Sequence, residues 1–163
     1  MKKVISTLVV LCLIGAGAWF FFAPKQQAPA VVFHTLDDQS IAMDDLKGRV
    51  VLVKFWATSC VTCVKQMPDT TELYEALSPE GFDVIAVAMA YDPEDYVKQF
   101  TATRKLPFTV AMDRSGEVAR AFDDVRLTPT AFLIDKNGAI LKKYLGNYDK
   151  QELRRTVETA LAS

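Results

Sequence analysis

Apolar and polar positions along this chain follow two periods that take turns. Val50 to Trp56 is a β-branched and aromatic run of strand length, and Val61 to Leu77 has the spacing of a helix. Strand Phe82 to Met89 follows, then a helix beginning at Pro93 with Asp92 as its cap. The pattern continues with strand Phe108 to Met112, a short helix from Glu117 to Phe122, strand Thr130 to Ile134, an Asn137-Gly138 turn and strand Ile140 to Leu145. Asp149 with Glu152 three residues later predicts a capping-box-like start for a closing helix that ends near Leu161. Upstream of this core, Val31 to Leu36 and Ser40 to Ala42 flank Asp37 and Asp38 as a hairpin, and Asp44 to Lys47 makes a helical turn closed by Gly48. The order is that of an α/β domain with a terminal hairpin and helix.

The amino terminus has a different pattern. Lys2 and Lys3 precede an uncharged stretch from Val4 to Phe22, about 19 residues, or roughly 28 Å as a helix, which is long enough to span a bilayer. We read residues 1–23 as a signal anchor, with the lysines held on the cytoplasmic side. A cleaved signal peptide competes with this reading, with small residues at Ala18 or Ala30 as cut sites, although secretory apolar regions are shorter, about 7 to 15 residues. Either outcome exports the domain. Residues 24–30, PKQQAPA, form a polar, proline-bearing tether, and residues 31–163 form the globular domain.

Three cysteines are present, and Cys12 falls in the anchor as a small apolar residue. The exported domain therefore carries two, Cys60 and Cys63, in a compartment that favours disulfides. Cys60 falls where strand hands over to helix. The free N–H groups and positive dipole end of a helix lower a thiol pKa from about 8.5 toward neutrality, so Cys60 is the candidate attacking sulfur. Cys63 lies one turn on along the same face, and an i, i+3 spacing of about 5 to 6 Å suits a disulfide. Such a pair can cycle between dithiol and disulfide with little backbone movement. A static staple would close a loop too short to restrain the unfolded chain much, and a closed zinc site would need four ligands. With 19 basic and 20 acidic residues interspersed, the chain lacks the basic stripe of a nucleic-acid binder.

The anchor, the segment FWATSCVTC, Pro68 five residues after Cys63, the Leu106-Pro107-Phe108 sequence after the intervening helix and the TPT of Thr128 to Thr130 together resemble the TlpA-like thioredoxin family, over roughly Phe33 to Leu161. The resemblance implies a thioredoxin-like fold: a central mixed β-sheet flanked by helices, with an N-terminal hairpin extension and an inserted helix. It implies a protein-disulfide reductase without cofactor or metal, periplasmic and anchored to the inner membrane. A membrane dithiol donor would feed it, and it would act on disulfide-bearing exported proteins, for example in cytochrome c maturation. Thiol oxidation or isomerisation is the alternative direction, and a metal-binding thioredoxin-like module is a further alternative. It also implies that Pro129 is cis and that Thr128 and Pro129 shape the groove for a substrate's extended backbone.

Two positions depart from the family. Gln66 stands where many relatives carry Glu near the active-site thiols, and Lys54 occupies the strand position where thioredoxin proper has a buried acid. Both are candidate modulators of thiol pKa, with a lysine snorkelling to the sheet edge as the plainer reading of Lys54. Thr62 replaces the proline before thioredoxin's second cysteine, which is consistent with a less reducing potential than thioredoxin's roughly −270 mV. Trp56 is either a core aromatic or a shield for the thiols. Pro68 is expected to kink its helix. His34 is left out of the site, and Asp92, Glu94 and Asp95 are read as capping and solvating the second helix.

Overall fold

The structure, a computed structural model, describes residues 26–163. The anchor, Cys12 and the first part of the tether lie outside the described residues. Among the described residues no helix is long and apolar enough to cross a membrane.

A small antiparallel ribbon comes first, with β1 (Val32–His34) paired to β2 (Ser40–Ala42), and a 3-10 turn (Met43–Leu46) follows it. The main sheet has five strands: β3 (Val50–Trp56), β4 (Phe82–Ala88), β5 (Thr109–Met112), β6 (Thr130–Ile134) and β7 (Ile140–Leu145), in the order β5-β4-β3-β6-β7. Strands β3, β4 and β5 are parallel to one another; β6 runs antiparallel to β3, and β7 antiparallel to β6. The helices are α1 (Val61–Leu77), α2 (Glu94–Arg104), α3 (Glu117–Ala121) and α4 (Lys150–Ala162). This is the mixed sheet with flanking helices of a thioredoxin-like fold, as expected from the sequence.

β3 is central, and every one of its seven residues is buried. That explains its apolar run, interrupted at Lys54 alone, since a strand covered on both faces needs no alternation. Val50, Leu52 and Trp56 face a core shared with Cys63, Met67 and Leu73 of α1, Val97 of α2, and Leu153 and Val157 of α4. Val51, Val53 and Phe55 face the other core, closed by Phe33, Met43, Leu46 and the α3 residues Val118 and Ala119. Phe122 fills its centre, edge-on to Phe55 with ring centroids 5.6 Å apart and 5.1 Å from Phe132.

Both outer strands of the sheet meet chain from the N-terminal side. Thr35 bridges to Ala111, and Leu36 N donates to Val110 O, which is why β1 ends at His34 rather than running to Leu36. At the opposite edge Ala28 N donates to Gly138 O, and Ile140 N donates to Gln26 O. The Asn137-Gly138 turn forms as predicted, with Gly138 at φ 83° and the Asp135 carboxylate accepting from Asn137 N and Ala139 N. Asp149 caps α4 by accepting from Gln151 N and Glu152 N. Glu152 does not complete a capping box, because its carboxylate accepts from Lys142 and Thr156 instead.

The packing predicts a clear contrast in stability. Phe55→Ala should lower the unfolding free energy of the disulfide form by about 3 to 5 kcal/mol, through lost burial and an unfilled cavity. Tyr96→Ala, at an exposed position, should change it by no more than about 0.5 kcal/mol. Urea unfolding followed by circular dichroism checks both.

Candidate active site

The chain leaves the sheet at Trp56 and enters α1 at Val61, so the connection is short and its far end is the helix cap. Cys60 is that N-cap, in an extended conformation, and its Sγ accepts from Cys63 N at 3.2 Å while its carbonyl accepts from Val64 N. A side-chain acceptor satisfies one of the helix's free donors, and here that acceptor is sulfur. Cys60 and Cys63 are disulfide-bonded, with Cα atoms 5.2 Å apart. The two sulfurs differ in access: Cys60 is part-exposed, whereas Cys63 is fully buried within the apolar core. An external thiol or disulfide therefore meets Cys60, and the helix end that holds its sulfur favours the thiolate when the bond opens.

The loop before Cys60 is held from β4's side. Asp92, only 3 % exposed, accepts from Thr58 N and from Thr58 Oγ1, both at 2.6 Å. This corrects the reading of Asp92 as a helix cap: α2 starts at Glu94, Pro93 is its N-cap, and the Asp92 carboxylate turns to the active-site loop. Glu94 also does more than solvate a helix. It binds Arg114 through two 2.8 Å contacts and Lys98 at 2.9 Å, and those partners pull its carboxyl down to about 2.

Thr128-Pro129 is a cis peptide bond, as the resemblance implied. The β3–β6 register pairs Phe55 with Thr130, so Trp56 and Pro129 are the next positions beyond that pair, at the end of the sheet where the loop to Cys60 begins. Thr128 Oγ1 lies 3.4 Å from the hydroxyl of Tyr91. Trp56 is wholly buried and stacks obliquely on Phe100 at 5.2 Å, so its core role is clear. Pro68 sits inside α1 and the helix runs on through it. His34 is exposed in the β1–β2 ribbon beside Ser40 Oγ.

Lys54 departs most from expectation. It does not snorkel to a sheet edge, because β3 has neighbours on both sides and Lys54 is completely buried. Its Nζ donates to Gln66 Oε1 at 3.1 Å, Thr70 Oγ1 at 3.0 Å and Tyr148 OH at 3.1 Å. Gln66 in turn donates through Nε2 to Gly146 O and Asn147 Oδ1, both at 3.3 Å. Desolvation pushes the Lys54 ammonium down to about 7, with Asp69 opposing weakly, and burial pushes the Tyr148 phenol up to about 12. The sequence singled out Lys54 and Gln66 separately, and the fold brings them together. Tyr148 and the Asp92–Thr58 tie were missed because their partners lie far off along the chain. Among the described residues no group of three His, Cys, Asp or Glu side chains could hold a metal ion.

Comparison with known proteins agrees with this geometry. The Redoxin family model matches residues 23–161. The chain belongs to the Redoxin family. Within it the likeness is to TlpA-like proteins: a thiol-disulfide oxidoreductase ResA of Bacillus cereus is 35% identical, across 94% of this chain and 95% of its own length. ResA of Geobacillus thermodenitrificans is 31% identical across 98% of both. Among solved structures, a protein assigned as a thioredoxin from Neisseria meningitidis superposes with TM-score 0.79 at 36% identity, covering 86% of this chain and 93% of its own. A thiol:disulfide interchange protein from Chlorobium tepidum gives 0.78 at 28% identity, covering 85% and 98%. This Redoxin-family chain is a thiol-disulfide oxidoreductase, with Cys60 and Cys63 as its redox pair.

The buried lysine makes stability depend on pH. Its folded pKa lies below its unfolded value of 10.5, so the unfolded chain binds more protons between about pH 7 and 10.5, and stability rises with pH across that window. Tyr148 acts oppositely, from about pH 10 to 12. The disulfide form should therefore gain on the order of 3 kcal/mol between pH 7 and 10. Lys54→Met should abolish that rise, as urea unfolding across the pH range would show.

Proposed function

We propose that this protein is an exported, membrane-tethered reductase of disulfides in extracytoplasmic proteins. The observation that carries the reading is the unequal access of the two sulfurs at the start of α1. Cys60, reached from outside, attacks a client disulfide and forms a mixed disulfide; Cys63, buried one turn away, then attacks Cys60 and releases the client dithiol. The pair ends oxidised, and a membrane dithiol donor returns it to the dithiol. Residues 1–23 supply the anchor and residues 24–30 the tether, and the apolar run of the anchor supports placement at the inner membrane, with the domain facing the periplasm.

The surroundings of Cys60 suit an extended polypeptide. Val61 beside it, Leu127 beside Thr128, and Tyr91 at the Thr128 hydroxyl are each at least 60% exposed, an apolar rim around the site. Thr128 and Pro129 would border the client's backbone along that rim. The clients this favours are chains whose cysteines are still accessible, such as an apocytochrome c before haem attachment. The names of the ResA relatives support the exchange chemistry.

Two outcomes are expected. Cys60→Ser should abolish disulfide exchange, whereas Cys63→Ser should accumulate a mixed disulfide with client, visible on non-reducing gels. Trapping by the Cys60→Ser protein instead would reverse the assignment. In cells, thiol trapping should find the pair mostly reduced while the donor is present and oxidised once it is removed. A pair that stays oxidised with the donor present, and a potential near about −120 mV, would mean that the protein forms disulfides.

A further inference from the structure

Lys54 lies on the face of β3 that also carries Leu52 and Trp56, beneath the helix that carries Cys63. Its ammonium is fixed from three directions by uncharged acceptors: Gln66 and Thr70 from α1, and Tyr148 from the β7–α4 connection. Gln66 is three residues from Cys63, the i, i+3 spacing that puts two side chains about 5 to 6 Å apart on one helix face. The titratable groups facing this centre are Cys63 and Asp69 on α1, Tyr148 on the connection, and Tyr144 on β7, whose ring lies 5.4 Å from that of Tyr148. Asp69 is engaged at the surface by Lys150 at 3.2 Å. The adjoining strands place Ala86 and Ala131 opposite Lys54, so they bring no charge. Through Gln66, this buried cation with no carboxylate in contact is linked to the helix turn that carries Cys63, and the cysteine pair gains negative charge on reduction in the proposed reaction.

We propose that Lys54 is a redox-linked positioning residue, a buried cation that holds a proton when the Cys60–Cys63 pair is reduced and so biases the dithiol toward its thiolate form. The proposal rests on the redox reading above. Reduction by a dithiol donor breaks the Cys60–Cys63 bond, transfers two electrons and forms the donor's disulfide. The donor gives up two protons. One resides on the Cys63 thiol and the other converts the Lys54 amine to ammonium, leaving Cys60 as thiolate with no change in the total charge of the protein. Oxidation runs the same balance backwards. Thr70 and Tyr148 also line a cavity of about 30 Å³ whose other walls include Asp69 and Lys150. That is room for a water molecule, with polar partners to hold it. A positive charge beside the pair favours its charged form and so lowers the thiol pKa.

The test compares wild type, Lys54→Met and Lys54→Gln by glutathione equilibration and by thiolate absorbance, from about pH 5 to 9. Loss of the cation should reduce the thiolate fraction of Cys60 about tenfold at neutral pH. It should also move the equilibrium about tenfold toward the disulfide, which is about 30 mV more reducing. The curves should converge at about pH 5, where the reduced pair is a neutral dithiol and the lysine is protonated in both oxidation states. A lysine that merely crosslinks β3 to α1 would give variants displaced equally at every pH, or not at all, and either result overturns the proposal. Gln66→Glu supplies a variant that keeps Lys54 and tests it without removing a core side chain: the new carboxylate should pair with the ammonium in both oxidation states and raise the thiol pKa. Superimposable titrations for wild type and Gln66→Glu would count against the proposal. A wild-type pair that never equilibrates with glutathione would overturn the redox reading itself; equilibration with pH-independent differences would overturn the role of Lys54 alone.

Discussion

β3 is covered on both faces and hydrogen-bonded on both edges, so sliding it by one residue would turn Val51, Val53 and Phe55 into the wrong core. Its C-terminal end is therefore a fixed point. Cys60 hangs from that point by the short segment Ala57 to Ser59, and Thr58 in the middle of that segment is clamped by Asp92, just beyond the end of β4. The sulfur that caps α1 is thus positioned by two neighbouring strands and by the helix itself, and none of the three can shift without disturbing a core.

Lys54 sits within the most constrained strand and makes it less stable than an apolar residue would. Burying a cation with only neutral acceptors is costly, which is why its ammonium titrates near neutrality instead of above 10. Cutting it away would leave the Tyr148 hydroxyl and the Gln66 amide oxygen short of a partner, so the group is also a crosspiece joining β3, α1 and the β7–α4 connection. Stability and proton chemistry meet in one side chain.

The architecture was legible because its signals are local. The change of period after Trp56, the Asn137-Gly138 turn and the Asp149 cap each depend on neighbours within a few positions, and each formed where the sequence placed it. The cysteine pair was legible for the same reason, whereas the cis bond at Thr128-Pro129 came from the family resemblance and not from its neighbours, which mark only a turn proline. What escaped depends on distant pairing. Asp92 beside Pro93 has every local mark of a helix cap, and only the packing of β4 against β3 reveals that Thr58 claims it. Lys54 reads as an edge lysine until its strand proves to be the centre of the sheet, and nothing near Tyr148 announces a partner 94 residues away.

The attachment of Gln26 and Ala28 to Gly138 and Ile140 has a consequence for orientation. Ile140 begins β7 and Leu145 ends it opposite Thr130, so this attachment lies at the pole where β3 starts, whereas Cys60 lies beyond the pole where β3 ends. Seven strand residues separate the two poles by about 23 Å. A chain entering at Gln26 therefore joins the domain at its base: any pull from upstream is taken up by the far edge of the sheet, and the cysteine pole lies at the opposite end, clear of the line of force.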